Sequence, residues 1–260
     1  MELRIIKADP AGNVTLLVET AVPEIYRSAC ASALLSRKSL GGEQVGFLTE
    51  PRMGGSVRLE MMGGEFCGNA ARSVGYRQAV LEGVSDGAFI PVEISGCSRV
   101  LPVEVFLSAG TAWTEVPLPE AVEPVFVGGR VLPAVRMEGI LHLIADGKPL
   151  PDAEVRELLP QIAAQRGAPA VGILFLNGDT MIPAVYVAAT DSLYWEKSCA
   201  SGSAAAAFRM GAGLPDGVHR GALREPGGTI ETELTVRDGR TVRVRIGGSV
   251  TLSEPRTVTI

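Results

Sequence analysis

The sequence predicts an α+β fold of two pseudo-symmetric halves, each a barrel-like sheet around a central helix of small residues. Three observations lead there. Cys67-Gly68-Asn69-Ala70-Ala71-Arg72-Ser73-Val74-Gly75-Tyr76-Arg77 lies without a gap on Cys199-Ala200-Ser201-Gly202-Ser203-Ala204-Ala205-Ala206-Ala207-Phe208-Arg209. The rest of the 260 residues reads mainly as short strands broken by glycine and proline, with few helical stretches. The two matched segments are rich in Ala, Gly and Ser, so helices made from them can be approached closely enough to sit inside a sheet or barrel.

The elements follow in order. Val14 to Glu19 alternates weakly and reads as a strand. Glu24 to Arg37 carries an apolar stripe of Ile25, Cys30, Ala33 and Leu34 and stops before Gly41-Gly42, as a helix does. Val57 to Met62 is a clearer strand and leads into the first matched segment. Ile90 to Ile94 and Val100 to Leu107 are strands after it. Pro117-Leu118-Pro119 to Pro124 has three prolines and no periodicity, which places the junction there. Residues 1–117 then form the N-terminal half and 118–249 the C-terminal half. Arg256 to Ile260, within 250–260, is a last strand free to return to the first half. Gly139 to Ile144, Val171 to Leu176 and Ala184 to Ala188 are apolar runs of strand length. Pro151 to Ala164 is a helix with proline near its start and Gly167 beyond its end. Thr229 to Val236 and Thr241 to Ile246, joined through Asp238-Gly239, give the strongest hairpin signal.

Composition excludes several classes of function. With 46% hydrophobic and 20% charged residues the chain has ample core and no signature of disorder. The net charge of −5 is spread along the sequence, and no basic run argues for nucleic acid. Met1 to Lys7 is too short and too interrupted for a signal peptide, and no run of eighteen apolar residues offers a membrane span. Four cysteines without a secretion signal read as reduced thiols in a cytoplasmic protein. Only two histidines, His142 and His219, and no Cys-x-x-Cys argue against a zinc site, and no metal is expected.

The chemistry lies in the matched cysteines. A single Cys ahead of a small-residue helix is ordinarily a buried thiol, and Cys30 on its helix stripe and Cys97 in a Ser-Gly-Cys-Ser turn keep that reading. Two such thiols at equivalent places in a duplicated fold suit a reaction that needs like groups on opposite sides of one atom. Removing a proton from one face of a carbon and returning it to the other is such a reaction, and on an amino acid it is racemisation. Many racemases recruit pyridoxal phosphate as an electron sink, but the sparse lysines and the missing phosphate-cup glycines point to no cofactor. Positioned bases and electrostatic stabilisation must then suffice. A cysteine at a helix N-terminus has its thiolate favoured. The backbone N–H groups of Gly68 and Asn69, and of Ser201, Gly202 and Ser203, offer anion sites for a substrate carboxylate.

These residues carry a family resemblance that covers most of the chain. Glu65-Phe66-Cys67-Gly68-Asn69 and Ser198-Cys199-Ala200-Ser201-Gly202-Ser203 are similar to the two cysteine turns of diaminopimelate epimerase and its cofactor-independent relatives. Gly12-Asn13 and Pro226-Gly227-Gly228 fit the same family. The resemblance implies two halves, each a mainly antiparallel barrel-like sheet on a central helix. It also implies Asn13 as a ligand of the amino-acid head, with His142 and Glu196 tuning the thiols. Diaminopimelate epimerase carries Glu-Arg ahead of its second Cys, where Glu196-Lys197 stand here, and lysine lacks the bidentate grip of arginine. Trp195-Glu196 with Ser198-Cys199, together with Glu43-Gln44-Val45-Gly46-Phe47, resembles the histidine racemases of metallophore biosynthesis. Glu43 then becomes the partner for a basic side chain. Histidine is the favoured substrate and diaminopimelate the next. An isomerase of the phenazine-pathway type, or a small-carboxylate binding protein, is the alternative from another class. Partners beyond a small amino acid reduce to a second copy of the chain, as a homodimer.

Overall fold

Helices are scarce because the apolar residues mostly come in short, β-branched runs. A computed structural model describes residues 1–260, apart from the side chain of Thr190. Among the described residues there are four α-helices: α1 (Glu24–Leu35), α2 (Gly68–Glu82), α3 (Asp152–Arg166) and α4 (Ala200–Met210). The chain divides into two compact units, Met1–Glu115 with Gly247–Ile260, and Val116–Ile246.

In the first unit, strand Glu2–Asp9 pairs antiparallel with Thr15–Val18 on one side and with Arg256–Thr259 on the other. Thr15–Val18 runs parallel to Gln44–Thr49, with α1 in the crossover. Val57–Met61 runs parallel to Ala88–Ile94, with α2 in the crossover. The remaining steps, to Leu101–Phe106 and Thr111–Glu115, are antiparallel. Period-two alternation decides which helix each side chain meets. Leu16 and Val18 face the cluster of α1 with Cys30 and Leu34, whereas Leu17 faces that of α2. Small residues let α2 sit close: a Cβ on Gly75 would lie 2.6 Å from the Val103 side chain.

The second unit repeats the plan. Ile140–Asp146 runs parallel to Ala170–Asn177 with α3 in the crossover, and Ala170–Asn177 pairs antiparallel with Thr180–Val187. A single parallel bridge, Thr180 to Arg224, joins Thr180–Val187 to Gly217–Glu225 across α4. Gly217–Glu225 continues antiparallel into Gly228–Arg237. Both units therefore hold an outer crossover helix, α1 or α3, and a cysteine-led one, α2 or α4. The mainly antiparallel, barrel-like α+β architecture expected from the sequence is the one observed.

Two local expectations need correction. The proline-rich stretch read as a junction without periodicity contains a strand, Ala121–Val127, paired antiparallel with Arg130–Met137. Pro124 stands opposite Pro133, so neither of the facing residues has an N–H to give across that pair. Gly217–Glu225 was not read as a strand because seven of its nine residues are solvent-facing or half-buried, which erases the alternation.

Candidate active site

The predicted site residues fall into two clusters, one in each unit. In the first, the chain from strand Val57–Met61 turns through Glu65-Phe66 into α2. Cys67 is the N-cap residue, in extended conformation, and its Sγ accepts from the Ala70 N–H at 3.4 Å. A thiol thus fills the role that Ser, Thr or Asp usually has. Gln44, at the start of its strand, points its Nε2 at three acceptors: Asn13 Oδ1 and Thr15 Oγ1, each at 2.8 Å, and Cys67 Sγ at 3.3 Å. Asn13 Oδ1 lies 3.9 Å from the same sulfur. Glu43 adjoins Gln44, half-buried, its N–H donated to the Val14 carbonyl. Asn69 lies in the first turn of α2. Its Oδ1 accepts from Arg72 Nε at 3.2 Å and Nη2 at 3.1 Å, and that fully buried guanidinium also holds the carbonyls of Pro10 and Ser249. Asn69 and Arg72 thereby pin the Pro10-to-Asn13 loop beside Cys67.

The second cluster has the same turn with different surroundings. Cys199 is the extended N-cap of α4 and accepts from the Gly202 N–H at 3.3 Å. Ser203 gives its N–H to the Cys199 carbonyl at 2.8 Å. The three N–H groups expected to share an anion are therefore divided: Gly202 and Ser203 serve the turn itself, and only that of Ser201 stands outside these bonds. The Ser201 hydroxyl lies between His142 Nε2, at 2.9 Å, and Cys199 Sγ, at 3.6 Å. His142 is fully buried, and burial pushes its pKa down to about 3, so the imidazole is neutral. Its Nδ1 has no partner among the described residues. An unpaired acceptor costs less to bury than an unpaired donor left facing nothing, so the proton belongs on Nε2 and is donated to Ser201. The serine can then donate onward to the sulfur. Gly172 makes room for the ring: a Cβ there would lie 2.3 Å from Nδ1.

Carboxylates act on the second thiol. Cys199 is 5% exposed, and burial, then the charges of Glu196 and Glu225, push its thiol well up, while the hydrogen bond to Ser201 works the other way. Glu196 reaches the sulfur from the approach to the turn. Its neighbour Trp195 is fixed by an indole N–H to Asp152 at 2.7 Å and by stacking on Phe175. Cys67 has two N–H donors directed at it, and such bonds strengthen when the acceptor is ionised. Two participants escaped the sequence reading. Gln44 sat inside the quoted Glu43–Phe47 segment, and Glu225 immediately precedes the quoted Pro226-Gly227-Gly228. In both cases the signal was adjacency to a motif. Among the described residues all four cysteines are free thiols, no cluster of His, Cys, Asp and Glu could hold a metal ion, and no helix is long and apolar enough to cross a membrane.

Residues 2–256 match the family described as "Histidine racemase CntK N-terminal domain". A histidine racemase of Fusobacterium nucleatum subsp. nucleatum is 32% identical over 221 residues, covering 80% of this chain and 81% of that protein. One from Staphylococcus aureus is 27% identical over 238 residues, 86% of this chain and 85% of that one. Among solved structures, a probable proline racemase from Agrobacterium radiobacter K84 superposes with a TM-score of 0.66 at 13% identity, over 99% and 93% of the two chains. At that identity the likeness speaks for the fold alone.

Proposed function

The chain belongs to the histidine racemase family, and on that premise we propose that it is an isomerase interconverting L- and D-histidine without a cofactor, with Cys67 and Cys199 as the two acid–base groups. The observation that supports this reading is the pair of thiols at equivalent helix N-caps, one in each unit. Two N–H groups point at Cys67, as suits a thiolate, and two carboxylates act on Cys199, as suits a thiol. One is ready to take the α-proton while the other is ready to give one, and after a turnover the protonation states are exchanged.

The rest of the turn residues bind the part common to all amino acids. The first N–H groups of the two helices, at Gly68-Asn69 and at Ala200-Ser201, receive the carboxylate, whose charge grows on forming the enediolate. Gly202 and Ser203 hold the second thiol in place for this. Asn13 takes the amino group or carboxylate of the head, and Gln44 aims Cys67. Glu196 holds the proton of Cys199, and His142 steadies Ser201 as a donor when Cys199 becomes the thiolate. Glu43 accepts the imidazole N–H of the substrate and so selects histidine over neutral side chains.

Enantiomer analysis after incubation with L-histidine or with diaminopimelate tests the assignment. Histidine should be racemised and diaminopimelate should not be epimerised at a comparable rate. Glu43→Gln should lower kcat/KM for histidine by about 1–3 kcal/mol, the scale of a charged hydrogen bond. Faster conversion of diaminopimelate, or unchanged histidine kinetics in the variant, would remove the histidine assignment.

A further inference from the structure

Glu225, at the end of strand Gly217–Glu225, is only 7% exposed, yet it is a carboxylate turned toward the second cysteine turn. Its Oε2 accepts from the Cys199 N–H at 2.7 Å and its Oε1 from the Ser203 hydroxyl at 2.5 Å. The two bonds reach the N-cap of α4 and a residue one turn further on, so a single side chain grips the turn from both ends.

The repeat shows that bracing of this kind belongs to the architecture. Gly227 gives its N–H to the Lys197 carbonyl at 2.7 Å, two residues ahead of Cys199. In the other unit, the Ser95 hydroxyl donates to the Glu65 carbonyl at 3.0 Å, two residues ahead of Cys67. Ser95 and Gly227 each stand 28 residues after their cysteine, and Glu93 and Glu225 each stand 26 after. Glu93 is buried as well, but its carboxylate holds the N–H groups of Arg52, Met53 and Gly55. Equivalent buried glutamates therefore hold backbone in both units, and in the second unit the backbone held is that of a cysteine to which a catalytic role is assigned above.

We propose that Glu225 is the positioning residue of the Cys199 turn, fixing where the thiol points and placing its carboxylate charge beside it. The proposal builds on the acid–base role of Cys199. The charged groups acting on that sulfur are Glu196, from the segment leading into the turn, and Glu225, from the end of strand Gly217–Glu225; His142 reaches it only through Ser201 and is neutral. Because Glu225 also bonds the amide of the same residue, its charge and its grip act on one atom group and can be separated by substitution.

Glu225→Gln preserves shape: its carbonyl can take the Cys199 N–H and its amide can donate to Ser203, while the charge is gone. Glu225→Asp keeps the charge and draws the carboxylate back by one methylene. Thiolate absorbance, read as the difference between each protein and the same protein with Cys199→Ala, follows ionisation at this sulfur without requiring turnover. In Glu225→Gln the Cys199 thiolate should appear about one pH unit or more below where it appears in the parent protein. In Glu225→Asp the titration should stay close to that of the parent. Its kcat on histidine should fall about tenfold or more, with KM within about twofold, as displacement of a reacting group does. A Glu225→Gln titration superimposable on the parent's, or an undiminished kcat in Glu225→Asp, overturns the proposal. Absence of histidine turnover in the parent protein would strike the proposed function instead, and the thiolate titration would still decide the role of Glu225.

Discussion

Acidification from pH 7 to pH 5 should destabilise the protein by about 2 kcal/mol through His142 alone. The imidazole is fully buried, and burial pushes its pKa down from 6.5 to about 3. Between those values the unfolded chain binds a proton that the folded protein does not. The stability contributed by the neutral ring is thus fully present above about pH 6.5 and is lost progressively as pH falls toward 3. Each pH unit well inside this window is worth about 1.4 kcal/mol, and pH 5 lies roughly one and a half units below its upper edge. The buried carboxylate of Glu93 enters later. Glu93, which burial alone would raise, is held at about 2 by the N–H groups of Arg52, Gly55 and Met53 and by Arg58, and it matters below about pH 4.5. His142→Gln retains a donor for Ser201 and has nothing to protonate. Urea denaturation at pH 7, 6 and 5 should show the parent protein losing stability across the series while the variant loses at least about 1.5 kcal/mol less. Equal losses in the two proteins would refute the neutral ring, and with it the tautomer that places a donor on Ser201.

Three further outcomes follow from the same geometry. Cys67→Ala and Cys199→Ala should each lower racemisation by at least the 10²–10⁴-fold typical of one acid–base group while leaving circular dichroism unchanged, and near-normal turnover in either would end the two-thiol assignment. Gly172→Ala should force the His142 ring from its place, since the added Cβ would lie 2.3 Å from Nδ1; a destabilisation of about 1–3 kcal/mol by urea denaturation is expected, with reduced kcat. Gln44→Leu should lower kcat by roughly 10–100-fold by removing the donor to Cys67 and leaving Asn13 and Thr15 without theirs, and unchanged initial rates would show that Gln44 has no share in the reaction.

The sequence revealed the parts of the site that the duplication marks and missed those that only one unit carries. Cys67 and Cys199 were legible because an internal match of eleven residues is visible without any structure. Helix α1 was legible from an apolar stripe, of which Cys30 and Leu34 are buried while Ile25 faces solvent, α3 from flanking Gly and Pro, and the late hairpin from Asp238-Gly239. Strand Glu2–Asp9 was missed because its buried residues, Leu3, Ile5, Ile6 and Ala8, break the simple alternation where sheet contacts cover both faces. The donor network around Cys67 was illegible for another reason. Asn13, Gln44 and Cys67 meet through the parallel pairing of Thr15–Val18 with Gln44–Thr49, and nothing local sets that register. The division of labour among Ser201, Gly202 and Ser203 depends on Cys199 acting as its own helix cap, a role that residue identity alone does not announce.

Racemisation of L-histidine begun in D₂O and stopped at a few per cent conversion tests the two-thiol account most directly. If one thiol removes the α-proton and the other delivers a solvent-derived deuteron to the opposite face, the D-histidine first formed should carry deuterium at Cα in essentially every molecule. The remaining L-histidine should at that point still carry protium. D-histidine that retains the original hydrogen, or L-histidine that gains deuterium as fast as D-histidine appears, would mean that a single group serves both faces, and would contradict the account.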